Sequence, residues 1–325
     1  MFTKLLVPLD GSSLAEQALG SAASISRASH AALDLVMVHQ PMAFADFVDA
    51  AWQANPSTGE RAYIASTAKE LAAGSSIVVS GTVVRGAASE MICERAKAIG
   101  ADLIVMTSHG RTGLSRTWLG SVAHEILRGS QAPILMLRPV DGKRPRRFGE
   151  KLFTKVLVTL DGSALAESIL EPASELARAF DARLILLRVV EPVPMVIPEI
   201  SLPTSYLPRD ESATAALVNR ATTELAEVAK RVVETGISRV ESHVIVAERV
   251  ANAILEFARG VAPSVIAIST HGRGASRLFL GSVADKILRA SNVPLLIRRP
   301  LSVREEPALI DEAGTAEQLH EVWSV

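Results

Sequence analysis

Two stretches of this chain place small, hydroxyl-bearing and glycine residues directly after a continuous apolar run. They are LIVMTSHGRTGLSRTWLGS, Leu103 to Ser121, and VIAISTHGRGASRLFLGS, Val265 to Ser282. A helical pattern follows each of them. A buried strand, a glycine-bearing loop and a helix N-terminus in this order form an anion site, because unpaired amide N–H groups and the helix dipole point at the ligand. Glycine lets the backbone approach without a Cβ. The predicted chemistry is phosphate binding.

Catalytic and metal chemistry find less support. The chain has no Gly-x-Ser-x-Gly elbow, no Walker loop and no metalloprotease histidine pair. His109 and His271 each precede a glycine, but no second ligand lies at metal spacing nearby, and a hydrogen bond that orients the loop is favoured. Cys93 falls with Ile92 and Ala96 on the apolar side of a helix, which favours a core position over a redox sensor. We therefore predict no catalytic residue, no metal site and no enzyme.

The beginnings of the two halves repeat as well. KLLVPLDGSSLAEQAL from Lys4 matches KVLVTLDGSALAESIL from Lys155. Repetition on this scale predicts two homologous domains of about 140 residues each. We place the first domain at 1–140, a basic linker at 141–151, the second domain at 152–300 and an acidic tail at 301–325.

Composition limits the function classes. The chain has 325 residues, a formal net charge of −1 and a single cysteine. The charge gives no electrostatic reason to expect nucleic acid or a membrane as partner, and the basic linker is interpreted as a solvated hinge. One cysteine excludes an internal disulfide framework and fits a reducing compartment. With no signal peptide or membrane span in the pattern, we expect a soluble cytoplasmic protein.

Alternating strand and helix patterns predict an α/β fold with a parallel sheet and helices on both faces. Ser12 or Ser13 can cap the first helix, with Glu16 reaching back as in a capping box. The last strand of each half lies at a sheet edge, and we expect these two edges to meet. The proline-rich segment 191–210 is expected to cover the surface as a lid or contact segment. The predicted strands are Lys4–Leu9, Ala32–His39, Ser76–Val84, Asp102–Met106 and Pro133–Arg138, then Lys155–Leu160, Arg183–Val190, Val240–Val246, Ser264–Ser269 and Pro294–Arg299.

These motifs resemble the universal stress protein family. The resemblance rests on Asp-Gly-Ser after the first strand and on HGR, LGSVA, ILR and PxLxxRP after the fourth, in both halves. It implies a tandem member with two doubly wound, Rossmann-like, five-stranded parallel sheets of strand order 3-2-1-4-5, packed as a pseudo-dimer. Many family members bind ATP through the pattern Gly-x2-Gly-x9-Gly-Ser/Thr.

The resemblance assigns roles at the carboxyl ends of the strands, where ligands bind in such sheets. Asp10 would hold the ribose or support a metal-bound phosphate, although an Asx-turn that caps the first helix is the alternative and both roles can coexist. The backbone near Val38 would meet adenine. Ser121 is a phosphate ligand or an N-cap, and Arg111, like Arg273, reaches phosphate or stays on the surface. The full set of predicted ligand residues is Pro8, Asp10, Val38, Gly86, Thr107, His109, Gly110, Arg111, Gly120, Ser121 and Val122, with Asp161, Val189, Gly272, Gly281 and Ser282 in the second half.

The second half departs further from the ATP pattern than the first. The first glycine of the pattern is Thr107 in one half and Ser269 in the other. Nine residues separate Gly110 from Gly120, but only eight separate Gly272 from Gly281. Two further second-half differences point the same way, Glu248 aligned with Gly86 and Ser264 aligned with Asp102, since a glutamate beside a triphosphate would repel it. We therefore predict nucleotide binding mainly in the first half.

Two function classes remain open. In the first, ATP, with or without Mg²⁺, stabilises one conformation that an unknown protein partner reads. In the second, the chain is a nucleotide-independent oligomerising scaffold that keeps degenerate pockets. An ATP-splitting enzyme is disfavoured because no Ser-Gly-Gly signature follows the first strand. A homodimer is expected in either class.

Overall fold

A computed structural model describes residues 1–40, 58–73, 76–108, 119–138, 152–195, 208–270 and 280–300. Strands and helices alternate through both halves, as the sequence predicts. The strands of the first half are β1 Lys4–Leu9, β2 Ala32–His39, β3 Val79–Arg85, β4 Leu103–Thr107 and β5 Ile134–Leu137. Those of the second half are β6 Lys155–Leu160, β7 Arg183–Val190, β8 Val240–Val246, β9 Val265–Ser269 and β10 Leu295–Arg298. The helices are α1 Ser13–Ser29, α2 Thr58–Ala72, α3 Ala88–Ile99, α4 Ser121–Gly129, α5 Ala164–Glu167, α6 Leu170–Phe180, α7 Glu211–Glu234, α8 Val250–Val261 and α9 Ser282–Ala290.

The strands form one ten-stranded sheet of order β3-β2-β1-β4-β5-β10-β9-β6-β7-β8. Within each half all neighbours are parallel, and the order 3-2-1-4-5 is the predicted one. The two last strands, β5 and β10, pair antiparallel. This pairing joins the halves as a pseudo-dimer and removes two edges that would otherwise be exposed.

The junction is symmetric about one pair of leucines. Leu296 lies opposite Leu135, and the flanking pairs of the two strands are related by the same pseudo-twofold axis. Both leucines are fully buried. On either side an arginine crosses the junction to the end of a helix in the other half. Arg138 Nε donates to the carbonyl oxygen of Ser291 at 3.2 Å, and Arg299 donates to the carbonyl oxygen of Arg128.

The sheet has an apolar layer on each face, because successive side chains of a strand point to opposite sides. Leu5 and Val7 contribute to the layer under α1, α2, α6 and α7, and Leu6 to the layer under α3, α4, α8 and α9. Both layers run through the two halves. Burying each large aliphatic side chain contributes about 1.5–3 kcal/mol, so these layers stabilise the sheet on which the strand ends are held.

The start of α1 corrects one expectation. Ser12 is its N-cap, and its Oγ accepts from the Ala15 amide at 3.2 Å. Glu16 does not reach back to form a capping box, because it accepts a hydrogen bond from Tyr63 Oη at 2.9 Å. Burial and this carboxylate together raise the pKa of Tyr63. Glu16 therefore ties α1 to α2.

Several predicted segments lie outside the described residues: the linker, the acidic tail, and the proline-rich segment over 196–207. The two ends of that last segment are described. Met195 N donates to the Pro208 carbonyl at 2.7 Å, and Asp210 N donates to the Val193 carbonyl at 2.9 Å. The described helices include none that combines the length and apolarity needed to cross a bilayer.

Candidate functional site

The candidate site lies at the carboxyl ends of β1 and β4. These strands are parallel neighbours, so Asp10 and Thr107 reach the same edge of the sheet. After β1 the chain turns to α1 on one face, and after β4 it returns as α4 on the other face. A crevice opens where neighbouring connections diverge in this way, and ligands of open α/β sheets bind there.

Asp10 forms the turn that the sequence analysis gave as the alternative to a ligand role. Its Oδ1 accepts from Ser12 N at 2.9 Å and from Ser12 Oγ at 2.6 Å. In the second half Asp161 accepts from Ser163 with the same two distances. Each aspartate thus positions the residue that caps the following helix, so the Asx-turn is confirmed. A contact of Asp10 with ribose or a metal-bound phosphate stays a prediction.

The N-terminus of α4 faces this crevice, and within the described part of the chain no side chain caps it. Gly120, rather than Ser121, is the N-cap, with φ −58° and ψ 148°. Its amide donates to the Ser108 carbonyl at 3.0 Å, which closes the base of the loop. Ser121 is the first helical residue and is exposed, and Val122 is half-buried. The amide groups of the first turn have no intrahelical partner, and no acidic side chain lies among them.

The second half repeats this geometry with one difference. Gly281 caps α9 with φ −58° and ψ 144°, and its amide donates to the Thr270 carbonyl at 2.9 Å. A Cβ on Gly281 would lie 3.0 Å from that same oxygen, which explains a glycine here. The lost loop residue has therefore not displaced the base of the loop. The difference is Asp285 in the first turn of α9, where a carboxylate disfavours a bound anion although Arg289 pairs with it at 2.9 Å.

The rim beside β3 corrects a sequence alignment. Gly86 N donates to the His39 carbonyl at 3.2 Å, and the equivalent bond in the second half joins Ala247 N to the Val190 carbonyl at 3.0 Å. Gly86 therefore corresponds to Ala247, and Glu248 belongs to a turn that is one residue longer. Glu248 also forms an ion pair with Arg209, so its charge is compensated. The predicted repulsion of a triphosphate by an unpaired Glu248 is therefore wrong.

A second alignment, Asp102 with Ser264, has no bearing on the site. Both residues precede their strands and so lie at the amino ends, opposite the crevice. Asp102 accepts from Thr3 N at 2.6 Å, and Ser264 Oγ accepts from Thr154 N at 3.0 Å. Either side chain holds the residue that leads into the first strand of its half, and that role is structural.

The structure also shows a buried cation that the sequence analysis missed. Arg188 in β7 occupies the register position of Met37 in β2, opposite the last residue of the neighbouring strand. Its side chain is 8% exposed and pairs with Glu224 of α7. The guanidinium packs on the turn after β6, 2.8 Å from where a Cβ of Gly162 would lie. The signal available in the sequence was a single arginine inside the apolar run RLILLRVV. The two crevices therefore differ in charge near their aspartate turns.

Other predicted residues divide into described and undescribed ones. Thr107 is buried at the end of β4, and Ser269 is buried at the end of β9, where its Oγ has no hydrogen-bond partner among the described residues. Val38 and Val189 are half-buried near the ends of β2 and β7, Pro8 is half-buried in β1, and Ser282 is exposed at the start of α9. His109, Gly110 and Arg111, with His271, Gly272 and Arg273, lie outside the described residues, and their roles stay predictions.

Cys93 is half-buried and packs against the apolar layer under α3, α4, α8 and α9. It lines a cleft of about 720 Å³ between α3, the end of α4 and α6, at the amino ends of β4 and β5. Burial raises the pKa of its thiol, which opposes a nucleophilic role. Among the residues that the structure describes, no three His, Cys, Asp or Glu side chains come together as metal ligands.

Comparison with known proteins agrees with this architecture. Universal stress protein Rv2005c of Mycobacterium tuberculosis is 27% identical over 201 residues, which span 61% of this chain and 62% of that protein. Universal stress protein YxiE of Bacillus subtilis is 30% identical over 153 residues, 42% of this chain and 100% of that protein. A crystal structure of a universal stress protein from Archaeoglobus fulgidus has a TM-score of 0.67 at 19% identity, covering 91% of this chain and 98% of that one, and shows the fold alone.

The sequence profile of the universal stress protein family matches residues 1–138 and 152–299, one match in each half. The profile thus covers both sets of strands that the sheet brings together. The chain belongs to the universal stress protein family.

Proposed function

We propose that the first half binds an adenine nucleotide, ATP with or without Mg²⁺, as a regulatory ligand. The observation that carries the proposal is the open N-terminus of α4 at the crevice between β1 and β4. No side chain of the described residues caps its first-turn amides, and the first turn contains no acidic residue. An anion placed there gains charge-assisted hydrogen bonds and the favourable end of the helix dipole.

The residues present fit such a ligand. Glycine at 120 leaves the approach to the amides free of a Cβ, and the exposed Ser121 hydroxyl lies beside it. The phosphates would lie against Gly120, Ser121 and Val122, and the ribose near Asp10. The backbone at Val38 borders the same edge through the pairing of β1 with β2. When bound, the nucleotide supplies negative charge at this helix end and so stabilises one arrangement of the protein. A partner that reads this arrangement, a homodimeric assembly and a cytoplasmic location complete the proposal.

Preference for the first half rests on one charge difference. Asp285 stands in the first turn of α9, where α4 carries no acid. Its carboxylate disfavours the phosphates that a nucleotide would place at this helix end.

Matched glycine substitutions test the proposal. Gly120→Val places a branched side chain against the phosphate approach, and Gly281→Val is the matching change at equivalent backbone angles in the other half. Losing a few charge-assisted hydrogen bonds of about 1.5–3 kcal/mol each would weaken Mg-ATP binding by tens- to thousands-fold in the first variant. The second variant should bind nearly as well as the parent. Calorimetric titration measures both.

Two outcomes would overturn the assignment: unchanged Mg-ATP affinity in Gly120→Val, or two sites of equal affinity in the parent. Mass spectrometry of nucleotide released from the denatured, freshly purified protein gives an independent answer. If that experiment finds no nucleotide and the titration gives no heat, the nucleotide-independent scaffold is the better description.

A further inference from the structure

Arg138, which follows β5, is half-buried, but one nitrogen of its guanidinium is not. This atom, Nη2, is fully buried and makes no hydrogen bond to any residue that the structure describes. Its Nε donates to the Ser291 carbonyl at 3.2 Å, and its Nη1 lies 3.5 Å from Ser108 Oγ. Among the described residues, no carboxylate pairs with this guanidinium. Buried polar groups are almost always paired, and a buried charge is costly unless an opposite charge compensates it.

The contact with Ser108 places the Arg138 guanidinium near the crevice at the ends of β1 and β4. Ser108 follows β4 directly and is fully buried. Its carbonyl accepts the Gly120 amide at 3.0 Å, so the residue beside the Arg138 guanidinium is also hydrogen-bonded to the N-cap of α4. Two sources of positive potential, the guanidinium and the open helix end, therefore meet at the base of one loop. Desolvation lowers the pKa of Arg138, which is the expected effect when part of a guanidinium is removed from water.

We propose that Arg138 Nη2 donates to a phosphate oxygen of the ligand at the N-terminus of α4, and so selects a polyphosphate. This inference rests on the proposed function and adds to it a residue outside the glycine pattern. A guanidinium matches phosphate geometry better than an ammonium does, because its fork presents paired donors. The same side chain contacts Ser291 of the second half, so a bound phosphate is connected to the junction between the halves.

The chain offers a matched control in Arg299. This arginine follows β10 as Arg138 follows β5, and it likewise crosses the junction, to the carbonyl oxygen of Arg128. Arg138→Met and Arg299→Met each remove one arginine that bridges the halves. Only the first removes the cation beside Ser108. Arg138→Lys retains a charge and tests the geometry.

Calorimetry of the full chain with Mg-ATP, inorganic tripolyphosphate and adenosine separates the outcomes. We expect Arg138→Met to weaken ATP and tripolyphosphate binding about ten- to hundred-fold, the effect of one charge-assisted hydrogen bond. Adenosine binding should not change. Arg138→Lys should lie between, and Arg299→Met should bind like the parent.

The phosphate role is overturned if Arg138→Met binds ATP as the parent does, or loses ATP and adenosine by the same factor. If the parent binds tripolyphosphate through Arg138 but does not bind ATP, only the nucleotide proposal fails. If the parent binds neither compound, both proposals fail.

Discussion

Gly86 occupies a backbone conformation that no other residue type adopts easily. Its φ is +146°, and a Cβ there would lie 2.8 Å from Met91 Cγ. Its amide connects the end of β3 to the His39 carbonyl at the end of β2. The second half has Ala247 at the same hydrogen-bond position, and Ala247 is not among the described residues with positive φ. The rim of the first crevice therefore depends on one glycine that the second does not need.

Gly86→Ala should destabilise the protein by about 1–3 kcal/mol, from backbone strain and the contact with Met91 together. Gly100→Ala is the control, because Gly100 also has positive φ, +63°, but nothing lies within 4 Å of its Cβ position. The control should cost about 1 kcal/mol. Urea unfolding measures both. Repeating Gly86→Ala in a Met91→Ala background removes the contact and should recover part of the loss. Equal losses at Gly86 and Gly100 would contradict this explanation.

At the scale of elements, the pair Arg188–Glu224 connects β7 to α7. Glu224 accepts hydrogen bonds from Arg188 and Arg220, which lower its pKa to about 2 from an ordinary 4.5. Because the folded-state pKa is depressed, the pair stabilises the protein above about pH 4.5. That contribution is lost as the pH falls toward 2.

Glu224→Gln should reduce stability at pH 7 by about 1–2 kcal/mol, because it leaves the buried Arg188 without its anion while Glu224 itself is partly exposed. The variant should also lose part of the pH dependence of unfolding between pH 4.5 and 2. Glu241→Gln is the control, since Glu241 pairs with Arg183 where both side chains are 44% exposed. Its effect should stay below about 0.5 kcal/mol. Thermal unfolding across this pH range measures both variants. An unchanged pH profile of stability in Glu224→Gln would contradict the role of the Arg188–Glu224 pair.

The strands and helices could be predicted from the sequence because their signals are local. Continuous apolar runs predict β1, β4, β6 and β9, and the repeat predicts the second half from the first. Details that depend on one residue in a turn could not be predicted. The alignment of Gly86 with Glu248 was wrong because the turn before α8 is one residue longer than the turn before α3, and only the hydrogen-bond register shows where the extra residue lies.

Side-chain competition limited the prediction of the site in the same way. The sequence near Glu16 suggested a capping box, but the Glu16 carboxylate instead accepts a hydrogen bond from Tyr63, which is far away in the sequence. The sequence offered Ser121 as an N-cap, but in the structure the N-cap is Gly120. The hydrogen bond from Arg138 to the Ser291 carbonyl has no local signal in the sequence, since it forms between the two halves. By contrast, the sequence alone could have excluded Asp102 from the site, because a residue that precedes a parallel strand lies at the end opposite the ligand.

At the scale of the whole molecule, the antiparallel pairing of β5 with β10 turns two five-stranded sheets into one. The apolar layer on each face continues from one half into the other. The crevices at the ends of β1 and β6 are related by the pseudo-twofold axis, while β3 and β8 form the two outer edges. The halves should therefore hold together without the covalent linker.

Cleavage at a protease site introduced within residues 141–150 tests this directly. We expect the two fragments to elute together in size-exclusion chromatography, because separation would expose Leu135, Leu296 and their neighbours and leave two strand edges unpaired.

Leu296→Asp should release the fragments after cleavage, since it buries an unpaired charge at the centre of the junction. Leu296→Ala, a milder change of about 2–4 kcal/mol, should leave both halves folded while weakening their association. Val246→Asp is the control, because Val246 is 48% exposed at the outer edge strand β8, and its fragments should stay together. Two stable fragments that separate freely from the otherwise unaltered protein would show that the edge pairing does not hold the halves together.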